Sequence, residues 1–83
     1  MIVGVTCWMD GERFDLPAPN RHHNVIRHLV SIGRSGRVKP CDQGFYTDTG
    51  EYLNREQARE YVLRIGQVAT TDHQIELFSE DLW

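Results

Sequence analysis

Eighty-three residues with a net charge of −3, 40% of them hydrophobic and 25% charged, make one small globular domain with little core to spare and exclude a disordered chain. No apolar run approaches the roughly 18–20 residues that a membrane span needs. The acidic balance also argues against a general nucleic-acid coat, which works through a basic surface.

The opening segment, MIVGVTCW, has no basic leader and meets Asp10 early, so a cytoplasmic protein is expected. Residues 2–9 are rich in β-branched and aromatic types and predict a strand. Asp10-Gly11 predicts a two-residue hairpin turn, since both turn positions need positive φ. Residues 12–16 return, with Phe14 and Leu16 on one face, and Pro17-Ala18-Pro19 ends the pairing.

Asn20 then serves as a helix N-cap and Gly33 as its stop, with Val25, Ile26, Leu29 and Val30 on one stripe. Ser35-Gly36 and Lys39-Pro40 mark an irregular connection. Residues 43–47 predict a third strand, Thr49-Gly50 a turn, and residues 51–53 the return. Asn54 caps a second helix with Gln57 completing a capping box. Ala58, Tyr61, Val62 and Ile65 form its buried stripe, and Gly66 ends it.

The fold class expected is therefore α+β: two β-hairpin–helix units, then a C-terminal strand at Ile75 and Leu77 or a turn begun by Ser79. The expected core is Val3, Val5, Phe14, Leu16, Val25, Ile26, Leu29, Val30, Phe45, Ala58, Tyr61, Val62, Ile65 and Leu77. The halves share a Gly-Glu turn exit, an Asn near the cap and an Ile-Gly ending, which is either a worn duplication or two solutions to one local problem.

Charge is unevenly placed. Residues 20–39 hold Arg21, Arg27, Arg34, Arg37, Lys39 and three histidines without an acid, while the tail from Asp72 holds four acids without a Lys or Arg. The stretch NRHHNVIRH concentrates this chemistry. At about 100° per helical residue His22 points inward, His23 lies at the edge of the stripe and His28 points away. The spacings lack the i,i+4 pair of a helical zinc site, so no metal and no cofactor are expected.

Cys7 and Cys41 lack metal spacing and read as ordinary small buried residues. No hydrolase, P-loop or paired-acid motif appears, which leaves enzymatic activity without a named nucleophile. Arg21, His22 and His23 at a helix start can grip a phosphate. Arg27, Arg34 and Arg37 extend the basic surface, so a phosphorylated ligand is one reading of this stretch. Trp83, with Phe78 and Leu82, either packs on this domain's own core or anchors a partner.

NRHHNVIRHL, QGFYTDTGEYLNREQAREYVLRIGQ and the ending LFSEDLW resemble a group of small uncharacterised proteins of tailed bacteriophages and prophages. The resemblance implies an accessory protein in the host bacterial cytoplasm. The function expected first is non-enzymatic binding and modulation of a host protein, such as a defence component. The alternatives are a binder of a small phosphorylated ligand or nucleotide at Arg21/His22/His23, and a small His-based or metal-dependent nuclease or hydrolase. Exposed sheet edges also leave room for a homodimer.

Overall fold

A computed structural model describes residues 1–34 and 38–83. Both hairpins join one antiparallel sheet. The first is β1 (Ile2–Met9) with β2 (Glu12–Pro17), and the second is β3 (Gln43–Thr47) with β4 (Tyr52–Asn54). The order is β2-β1-β3-β4, so the leading strand of each hairpin lies at the centre. Asp10 and Gly11 both have positive φ, 53° and 79°, as the two-residue turn requires. Each hairpin is followed by a helix, α1 (His22–Ser31) and α2 (Arg55–Arg64). The α+β architecture expected from the sequence is the one observed.

The helices pack on a single face of the sheet, α1 over β1 and β2, α2 over β3 and β4. Between the layers lies one core of Ile2, Val5, Cys7, Met9, Val25, Leu29, Phe45, Leu53, Ala58, Val62 and Leu77. Phe14, Leu16, Ile26 and Tyr61 pack against it, half-buried. Three expected core residues do not belong. The register of β1 against β3 shifts between Ile2 and Gly4, leaving Val3 as the extra residue of a bulge. Past the bulge the alternation flips, so Ile2 enters the core in place of Val3.

Val30 is 65% exposed because α1 turns Val25, Leu29 and His22 inward, which carries Val30 past the edge of that stripe. Ile65 lies beyond the last helical residue and is 45% exposed. The expected core also omitted Ile2, Met9 and Leu53, while Cys7, read as a small buried residue, is in it.

The cap of α1 is Arg21 rather than Asn20. Arginine has no acceptor, so only half a capping box forms: the Arg21 amide donates to Asn24 Oδ1 at 2.7 Å. In α2 the box is complete, with Gln57 N–H to Asn54 Oδ1 at 2.8 Å and Asn54 N–H to Gln57 Oε1 at 3.0 Å. The tail forms no strand. Its Leu77 amide donates to the Arg55 carbonyl at the start of α2, which fastens the segment to that helix instead of a sheet edge. Leu77 is buried and Ile75 is 68% exposed. A 3-10 turn over Ser79–Asp81 follows.

Candidate functional site

Two surfaces carry chemistry. The first is a polar groove where both helices begin. Arg21, His22 and His23 from the start of α1 line it, with Arg55 from α2 and Phe78, Ser79 and Glu80 from the tail; its volume is ≈ 130 Å³. A second hollow of ≈ 340 Å³ lies on the other side of Arg55, lined also by Cys41, Gln43, Asn54, Glu56 and Glu76.

His22 is buried, 7% exposed, with its ring edge-on to Phe45 at 5.1 Å between centroids. Its Nε2 lies 2.7 Å from the Gly44 carbonyl oxygen. A carbonyl only accepts, so Nε2 carries the proton and the neutral ring leaves Nδ1 bare. Burial pushes its pKa down to about 4 against the partly compensating pull of that carbonyl, and the Arg55 charge lowers it further. His22 is thus a neutral imidazole throughout the physiological range. His23 is exposed beside it.

Arg55 sits between the two hollows. Its Nη1 donates to the Leu77 carbonyl at 3.1 Å and its Nη2 to Gln43 Oε1 at 2.9 Å, while the guanidinium lies 4.5 Å above the centre of the Phe78 ring. Arg21 fastens the tail. It donates to Ser79 Oγ at 3.1 Å and to the main-chain oxygen of Trp83, with Glu80 at a loose 3.8 Å. The Trp83 indole N–H donates to the Asn20 carbonyl at 2.9 Å. Trp83 and Leu82 pack against the core and Phe78 walls the groove, so all three have places in their own domain.

The remaining basic residues are elsewhere. Arg27 is exposed on the outer side of α1. Arg34, past the far end of α1, pairs with Glu12 at 3.0 Å and stacks over Phe14. Arg37 lies outside the described residues. Of the two cysteines, Cys7 is buried and its thiol is pushed up to about 11 by that burial, which keeps it inert. Cys41 is exposed, contrary to the expectation that both are buried, because it lies in the 3-10 turn before β3 rather than in a strand. Among the described residues no group of three or more His, Cys, Asp or Glu is placed to hold a metal.

The second surface is the face of the sheet opposite the helices. Strand alternation puts Gly4, Thr6 and Trp8 there from β1, Arg13 and Asp15 from β2, Gly44 and Tyr46 from β3, and Tyr52 from β4. Trp8 meets Tyr52 edge-on at 5.5 Å. Thr6 Oγ1 donates to Asp15 Oδ1 at 2.5 Å, and Arg13 Nε to the same oxygen at 3.1 Å. The Tyr46 ring lies over Gly4 and the Tyr52 ring over Gly44, positions where a Cβ would collide with ring and backbone. No described helix covers this face.

The sequence reading found Arg21, His22 and His23 but missed Arg55, Ser79 and Glu80. Their signal was available in part, since Arg55 and His22 are each the first residue of their helix. It read Trp8 and Tyr52 only as strand residues, and Tyr46 as a strand residue and one of several unchosen partners for a histidine base.

No helix of the described residues is long and apolar enough to cross a membrane. No curated protein and no solved structure matches the chain. Residues 1–83 match the family model described as "Phage T4 y16D protein", and the chain belongs to that family of phage proteins.

Proposed function

We propose that this phage protein is an accessory factor that acts in the host cytoplasm by binding a host protein through the open face of its sheet. The observation that carries this reading is the composition of that face. Trp, Tyr and Arg dominate interface hot spots, and here Trp8, Tyr46, Tyr52 and Arg13 share one surface that no described helix covers.

The rings are held in place, two of them over glycines, so little side-chain entropy is lost on docking. A protein suits this surface better than a nucleic acid. Among the described residues the one cation placed on it, Arg13, is neutralised by Asp15 at 3.1 Å, and nucleic-acid affinity rests on free cations. The phage setting points to a host enzyme or defence component as the target class.

The test starts from tagged protein recovered from the infected host, followed by purification of any captured host protein and measurement of its affinity. Trp8→Ala is expected to weaken binding by about 30-fold or more, as loss of a ~2 kcal/mol hot spot does. Val30→Ser, on the exposed outer side of α1, is expected to leave the affinity unchanged. Equal binding by Trp8→Ala, or loss with Val30→Ser alone, sinks the reading.

A further inference from the structure

The groove between the helix starts contains a cation whose direct partners are neutral, with the carboxylates of Glu76 and Glu80 acting on it only from beyond ion-pair distance. Arg55 is only partly exposed, and its charge is partly stripped of water between Phe78, Leu77 and Gln43. Among the described residues no carboxylate lies within ion-pair distance of it. A half-buried guanidinium hydrogen-bonded only to neutral acceptors gains from an anion in direct contact. Two of its N–H groups are taken by neutral acceptors, and a guanidinium has five to give.

Arg21 approaches the same groove from α1. Arg21 is held there by Ser79 Oγ and the main-chain oxygen of Trp83, and the nearest acidic side chain, Glu80, is 3.8 Å away and 67% exposed, so that pair is loose and easily displaced. Ser79, 96% buried, adds a hydroxyl at the groove wall. His22 adds a neutral ring, which brings no positive charge to repel the two guanidiniums. The amides of His22 and His23, at the start of α1, have no partner within the helix and add donors to the same place.

We infer that this groove binds a phosphate monoester, with the phosphoryl group between Arg21 and Arg55 and the organic part in the wider hollow beyond Arg55. Two guanidiniums from different elements, a hydroxyl and helix-start amides supply the converging donors that a tetrahedral dianion takes. A space of ≈ 130 Å³ accepts one phosphoryl group but little more. The adjoining ≈ 340 Å³ hollow is lined by Gln43, Asn54, Glu56 and Glu76, which offer hydrogen-bond acceptors to a hydroxyl-rich moiety such as a sugar. The groove lies at the helix starts and the partner face on the far side of the sheet, so this inference stands independently of the docking surface.

The test is an NMR titration of the ¹⁵N-labelled full chain with inorganic phosphate, with ribose 5-phosphate and with free ribose, against chloride at matched ionic strength. Saturable shifts are expected at the His22, His23 and Ser79 amides and at the Arg55 side chain with both phosphates, and none with chloride or ribose. Glu80→Gln removes the competing carboxylate and is expected to tighten phosphate binding at least about threefold. Arg55→Met keeps an unbranched side chain of similar reach beside Phe78 without the charge and is expected to weaken phosphate binding by about tenfold or more.

Should Arg55→Met fail to fold, Glu80→Gln, a surface change, decides alone. Shifts that do not saturate, that chloride reproduces, or that Glu80→Gln leaves at the same affinity overturn the site. Ribose 5-phosphate binding no tighter than inorganic phosphate overturns the placement of the organic part.

Discussion

Gly44→Ala is expected to destabilise the domain by about 3 kcal/mol or more, the upper range for overpacking a close contact. Gly44 has ordinary strand φ, so backbone freedom is not the reason. A Cβ there would run into the Leu53 carbonyl of the neighbouring strand and lie 2.7 Å from the Tyr52 ring carbon and hydroxyl. The ring can swing away, but the carbonyl belongs to the β3–β4 ladder and cannot. For a domain of this size the loss corresponds to a fall in Tm of roughly 15 °C.

Adding Tyr52→Ala to Gly44→Ala is therefore expected to restore only the part of the loss due to the ring. Thermal unfolding of the single and double variants reads both quantities. A single variant within 1 kcal/mol of the parent would show that the strands can separate locally, and that the Tyr52 ring is not held down on the open face. Gly44 is also the residue whose carbonyl receives the His22 proton, so one glycine positions a ring on one face of the sheet and a histidine on the other.

Local rules read the elements well because their signals are local. The turn at Asp10-Gly11, the box between Asn54 and Gln57 and the strand over residues 43–47 each depend on a few adjacent side chains. What failed depends on contacts between distant segments. Nothing in MIVGV announces a bulge at Val3, because the bulge exists only against β3. There the Gln67 side chain, from the far end of the chain, pairs with both backbone groups of Ile2 at 2.8 and 2.9 Å.

The alternation at Ile75 and Leu77 looks like a strand, yet Arg55 and Leu77 satisfy each other's backbone and side chain and take the tail out of the sheet. The candidate groove was half legible for the same reason. Arg21, His22 and His23 are neighbours in sequence, whereas Arg55 and Ser79 reach them only through the fold. The open aromatic face was legible as strands but not as a face, since knowing that both helices lie on one side requires the sheet order.

Acidification is expected to weaken the fold through His22. The ring titrates near 6.5 in an unfolded chain and at about 4 in the folded one. Burial is the main cause, the Arg55 charge adds to it, and the Gly44 carbonyl and Glu80 oppose it. The folded pKa is the lower of the two, so between these values the unfolded chain holds a proton that the native one refuses. Stability from this residue is complete above about pH 6.5 and declines as the pH falls toward 4. The full difference is worth roughly 3 kcal/mol.

Denaturant midpoints at pH 7, 5.5 and 4 measure the decline. His22→Gln supplies a non-titrating amide that can still donate to Gly44. It is expected to be less stable than the parent at pH 7, by about 1–3 kcal/mol for the altered packing against Phe45, and to lose less on acidification. If parent and variant lose stability in parallel, other groups titrate and the burial of His22 does not set the acid sensitivity. If the slopes separate as expected, burial of the neutral His22 ring sets the acid sensitivity, and the ring stays neutral at any pH near neutrality.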